Sequence, residues 1–86
     1  MNKLLQRILL LSIKISQETE HDVMCEYLGH TNGFNVRIHN GGWVEDESKP
    51  MDFHFYLNKE GAKFDASATV RVLEAILKNS KLEVAA

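Results

Sequence analysis

Eighty-six residues, 44% of them apolar and 26% charged, describe a small globular chain and exclude a disordered one. The formal net charge of −2 argues against general binding to nucleic acid or an anionic membrane, where affinity rests on many Lys and Arg contacts with phosphate. Cys25 is the only cysteine, so the fold is held without an internal disulfide, as suits a reducing cytoplasm.

Leu4, Ile8, Leu11 and Ile15 recur at the spacing that stacks side chains on one helical face, predicting a first helix over about 2–17. Leu5, Leu9 and Ile13 widen that face to roughly 200°. Lys3, Gln6, Arg7, Lys14 and Gln17 hold the remaining arc, with Leu10 among them. This is more apolar surface than one packing face needs. The surplus at Leu5, Leu9, Leu10 and Ile13 points to an interface between copies, and a symmetric homodimer is the commonest such assembly. Arg7 and Lys14 break the apolar run well short of the roughly 20 residues that span a bilayer. Together with Gln6 they also spoil the uncharged core of a signal peptide.

Residues 23–30 and 34–39 alternate in polarity about Thr31-Asn32-Gly33, and Asn-Gly is a strong hairpin signal. With Asn32-Gly33 as a two-residue turn, Thr31 faces Phe34, Gly29 faces Val36, Tyr27 faces Ile38 and Cys25 faces Asn40. Cys25, Tyr27, Phe34, Val36 and Ile38 then point inward, while Met24, Glu26, Leu28, His30, Asn35, Arg37 and His39 point outward. Residues 51–58 form a third strand, with Met51, Phe53, Phe55 and Leu57 alternating against Asp52, His54, Tyr56 and Asn58. Residues 40–50 hold two glycines, Trp43, three consecutive acids and the only proline, and read either as a long loop or as a loop with a short fourth strand. Asp65 is the expected N-cap of a last helix. Ala66, Val70, Leu73 and Leu77 form its buried row, and Asn79-Ser80 its end, with an irregular tail at Leu82-Glu83-Val84. The chain therefore reads as one α+β domain over 1–86: helix, three-stranded antiparallel meander, helix, with both helices on one face of the sheet.

The outer face is the place to look for function. The two-residue turn sets His39 opposite Glu26, and a third strand beside the second brings Asp52 or His54 close. Glu26, Arg37, His39, His54 and Tyr56 then share one exposed surface. A protein-docking face is the leading reading. The alternative is a metal or small-ligand site built on the histidines, since imidazole and carboxylate suit zinc. Cross-strand pairs of this kind also occur on faces that merely meet water. Cys25, four residues after His21, lies in a strand facing the core and reads as a small hydrophobe. Trp43 reads either as an aromatic anchor for a partner or as a cap on the core. No phosphate-loop or dinucleotide spacing is present, no cofactor is implied, and the chain reads as a non-catalytic binding protein.

The stretch EHDVMCEYLGHTNGFNVRIHNGGW (20–43), joined to DFHFYL (52–57), resembles small uncharacterised proteins encoded by phages and prophages of Gram-positive bacteria. In those a helix precedes a strand, a GH-x-N type turn, a second strand and a GGW element. The resemblance implies a phage-type accessory protein and brings no catalytic residue. The helix, three strands, helix order is also similar to that of one anti-CRISPR class of small phage proteins, which are far more acidic than this chain.

Overall fold

The structure, a computed structural model, describes residues 1–39 and 51–85, with side chains as far as Asn79. Trp43, and the question of a fourth strand within 40–50, lie outside the described residues.

Helix α1 spans Asn2–Glu18, β1 Asp22–Leu28, β2 Gly33–His39, β3 Met51–Tyr56 and α2 Ala62–Ala85. The strands form an antiparallel meander in the order β1-β2-β3. α1 packs beneath β1 and against α2, and α2 continues the layer beneath β3. The core lies between the layers: Phe34, Val36, Ile38 and Phe55 from the sheet meet Ile8, Leu11 and Ile15 of α1 and Ala62, Ala66, Val70 and Leu73 of α2. Phe34 and Phe55 face each other across β2 and β3, ring centroids 5.7 Å apart. Two hydroxyls enter this layer at little cost. Ser12 donates to the Ile8 carbonyl at 2.7 Å and Thr69 to the Asp65 carbonyl at 2.8 Å, each bonding one helical turn back.

The hairpin corrects the expected register. Leu28 pairs with Gly33, Tyr27 with Phe34, Glu26 with Asn35 and Cys25 with Val36, leaving a four-residue loop over 29–32. The chain turns early: the Leu28 carbonyl accepts the Thr31 amide at 3.3 Å. Asn32 alone then takes the left-handed conformation, φ 57°, and Gly33 enters the strand instead of the turn. The displacement is an even number of residues, so every side chain keeps its face. What changes is its neighbours. His39 stands opposite Asp22 instead of Glu26.

Two inward residues are exposed. Tyr27 shares the inner face with Phe34 but stands on the edge strand, uncovered by any described element, and its hydroxyl donates to Asn32 Oδ1 at 2.9 Å. Met51, at the start of β3, is also exposed. α2 begins earlier than expected. Gly61, at φ +91°, opens the helix, and its carbonyl accepts the Asp65 amide at 3.0 Å. Asp65 is therefore a first-turn acid favoured by the helix dipole, and not the N-cap. The helix runs through 79–80 to Ala85, because no Gly or Pro after Gly61 stops it.

The α1-to-β1 connection is stitched by hydroxyls. Thr19 Oγ1 donates to the Ile15 carbonyl at 2.7 Å and accepts the His21 amide at 3.0 Å. Ser16 Oγ accepts the Val23 amide at 3.0 Å. No helix of the described residues is long and apolar enough to cross a membrane.

Candidate functional site

With both helices on the inner face, the outer face of the sheet has no cover among the described residues. Strand alternation and the observed pairing arrange it in rows. One row is Met24, Arg37 and Asp52; the next is Glu26, Asn35 and His54; the third is Leu28, Gly33 and Tyr56.

Each row has an internal logic. Arg37 Nε donates to Asp52 Oδ1 at 2.9 Å with both side chains about half exposed. A pair this wet contributes a few tenths of a kcal/mol at most, so it orients the guanidinium more than it stabilises the fold. In the middle row Asn35 bridges its neighbours: Nδ2 donates to Glu26 Oε1 at 3.5 Å, and Oδ1 meets His54 Nδ1. A carbonyl oxygen only accepts, so this contact as placed has His54 Nδ1 as the donor. His54 also meets the Tyr56 ring edge-on, centroids 4.8 Å apart and planes at 88°. Gly33 makes room for that pair. A Cβ there would lie 3.3 Å from His54 Cε1 and 3.6 Å from Tyr56 Cε1.

Of the residues expected on this face, Glu26, Arg37, His54 and Tyr56 are exposed and sit in adjoining rows. His39 keeps the same face, in the end row opposite Asp22 and next to the Met24–Arg37–Asp52 row. It lies beyond the Ile38–Met51 pair at the end of the β2–β3 ladder, half-buried, with Nε2 unbonded among the described residues. The expected cluster of Glu26, His39 and His54 is not assembled, because the four-residue loop slides His39 to the Asp22 end of β1. Among the described residues no group of three His, Cys, Asp or Glu side chains is placed to hold a metal ion. Sequence reasoning missed Asn35 as the bridge and Asp52 as the partner of Arg37. Both carried the signal of outward strand position, but only the true register pairs them.

A hollow of about 290 Å³ on this face is lined by Met24, Cys25, Glu26, Asn35 and Arg37. A second, of about 380 Å³, runs along the flank of α1 and β1 and is lined by Leu9, Ser12, Ile13, Ser16, Gln17, Val23 and Cys25. Beside it Leu9, Leu10 and Ile13 are exposed at 44%, 58% and 52%. Leu5, expected with them, is half-buried against the core instead.

Burial pushes the Cys25 thiol above its ordinary value. The Ser12 hydroxyl, 3.2 Å away, counters this only by turning its proton from the Ile8 carbonyl toward sulfur. A protonated, half-covered thiol is a slow nucleophile. At pH 8, alkylation of Cys25 by iodoacetamide is expected to run at least about tenfold slower in the native protein than in urea. Equal rates, read by mass spectrometry, would show an open thiolate instead.

No family model, curated protein or solved structure matches the chain.

Proposed function

We propose that this chain is a small non-catalytic accessory protein of phage type, acting in the cytoplasm by binding another protein through the outer face of its sheet. The observation that carries this reading is a whole sheet face left uncovered by the described elements, yet ordered in rows by cross-strand bonds. Rigid polar groups beside exposed apolar ones are how protein-binding surfaces are built. Met24 and Tyr56 supply the apolar contact, and Glu26, Arg37 and His54 the directional bonds.

The geometry favours a protein over a small ligand or a nucleic acid. The hollow of about 290 Å³ lies at the lower edge of the range for small-molecule sites. The only guanidinium in the three rows is already paired with Asp52, which leaves little for phosphate.

The test is affinity capture from a host lysate with the wild type and with a Met24→Glu/Tyr56→Ala double variant, both checked for folding by circular dichroism. Recovery of a partner by the wild type at least about tenfold above the double variant is expected. Equal recovery by both, or none with the wild type, overturns the reading.

A further inference from the structure

The helical wheel of α1 divides its charge unevenly. At 100° per residue, Lys3, Arg7, Lys14 and Glu18 crowd one shoulder, the one on which Arg7 reaches Glu74 of α2 at 3.3 Å. From Ser16 round to Leu10, an arc of about 120° carries no charge at all. Leu9 and Ile13 form its exposed centre, Gln6 and Gln17 follow them, and Leu10 closes it beside Lys3. A solvated helix face ordinarily shows Lys and Glu here. The hollow of about 380 Å³ lies directly beside this ridge, and Ser12 and Ser16 keep its wall low.

From these features we infer that the uncharged flank of α1 binds a second copy of this chain, α1 lying antiparallel to α1 about a two-fold axis near Leu9–Ile13. This goes beyond the proposed function, since it uses a different face. Three observations select a second copy as the occupant. On a two-fold axis each side chain meets its own twin, so a charge near the axis repels itself, and this arc has none. Ridge and hollow adjoin, the hollow lying between α1 and β1, so the two-fold seats each ridge in the other copy's hollow. The chain also complements itself end to end. Lys3 stands in the first turn of α1, while Glu20 stands just past its end. Antiparallel docking brings these opposite signs together, along with the opposite ends of the two helix dipoles.

The size of the contact sets its strength. α1 is about 25 Å long, and the ridge with its hollow covers on the order of 500 Å² per protomer. A standard interface buries about 800 Å² per partner. The dimer is therefore reversible, with Kd in the micromolar range.

Sedimentation velocity from about 1 to about 500 µM is the primary test, and a rise from monomer to dimer across that range is expected. Ile13→Glu, at a half-exposed position, should weaken the dimer at least about tenfold while keeping the wild-type circular dichroism. Ile13→Lys should do the same, and an equimolar mixture of the two variants should recover the dimer, because the opposite charges meet across the axis. Phe64→Glu, remote on α2, serves as the control and should leave assembly unchanged. A strict monomer at about 500 µM, or a dimer indifferent to Ile13→Glu, overturns the inference. So does failure of the two Ile13 variants to rescue each other. Should both unfold, Leu10→Lys at its more exposed site takes their place, with the same expected loss. None of these outcomes touches the sheet-face reading, which the Met24 and Tyr56 variant tests separately.

Discussion

Phe34→Ala is expected to lower the thermal midpoint by about 20 °C, whereas Phe64→Ala should leave it within about 3 °C. The two positions hold the same side chain in opposite settings. Phe34 is 5% exposed, sits on the central strand and stacks obliquely on Phe55, while Phe64 is 76% exposed on α2. Removing a buried phenylalanine costs about 3–5 kcal/mol, through lost transfer energy and the cavity left behind. A domain of this length has roughly 4–13 kcal/mol in all, so the loss is a large share of it. Each kcal/mol moves the midpoint of so small a domain by about 4–8 °C. Phe34→Leu refills most of the space and should cost under about 1.5 kcal/mol. Melts of the four proteins followed by circular dichroism check all three expectations. Similar losses from Phe34→Ala and Phe64→Ala would place the core somewhere other than between sheet and helices.

Val36→Asp is expected to unfold the protein at pH 7 and to let part of the structure return on acidification. Val36 is fully buried on the middle strand, with Cys25 and Phe53 across from it, and no cation belongs to the core cluster. An unpaired carboxylate cannot be solvated there, so burial raises the folded-state pKa of the new carboxyl above its unfolded value of about 3.9. Below that value both states are protonated and the penalty is only that of a neutral polar group. As pH rises toward the folded pKa the unfolded state ionises first, and stability falls. Val36→Asn carries a similar polar cost without titrating. The difference between the two variants, read by urea titration from about pH 3.5 to about pH 7, isolates the charge. Should Val36→Asp match Val36→Asn at every pH, the position is not enclosed.

The two periodicities of the chain carried most of this architecture. The alternation in 23–39 and 51–57 assigned faces correctly even though the pairing was displaced, because an even shift moves partners without turning side chains over. The rows Leu4, Ile8, Leu11, Ile15 and Ala66, Val70, Leu73, Leu77 likewise gave the buried stripes of both helices. The register was less legible because two turn signals compete within six residues. Asn32-Gly33 is the stronger by itself, but a turn at Gly29-His30 lets Gly33 join the strand and Tyr27 reach Asn32. That difference dissolved the expected neighbours of His39 and concealed the bridging role of Asn35. The start of α2 was hidden for a related reason: Asp65 has the chemistry of an N-cap, but Gly61 supplies the positive φ that opens the helix earlier. Partners of a surface row depend on loop length, which composition constrains weakly. Burial depends on polarity, which the sequence displays directly.

Among the described residues β1 and β3 are edge strands, and an edge strand invites a foreign strand to add itself and extend into a fibre. The Ser16 hydroxyl already holds the first outward-pointing amide of β1, so an incoming chain finds the opening rung of that ladder occupied. A helix residue thus acts as a stopper against polymer growth at one border, using a single bond that the connection between α1 and β1 needs in any case.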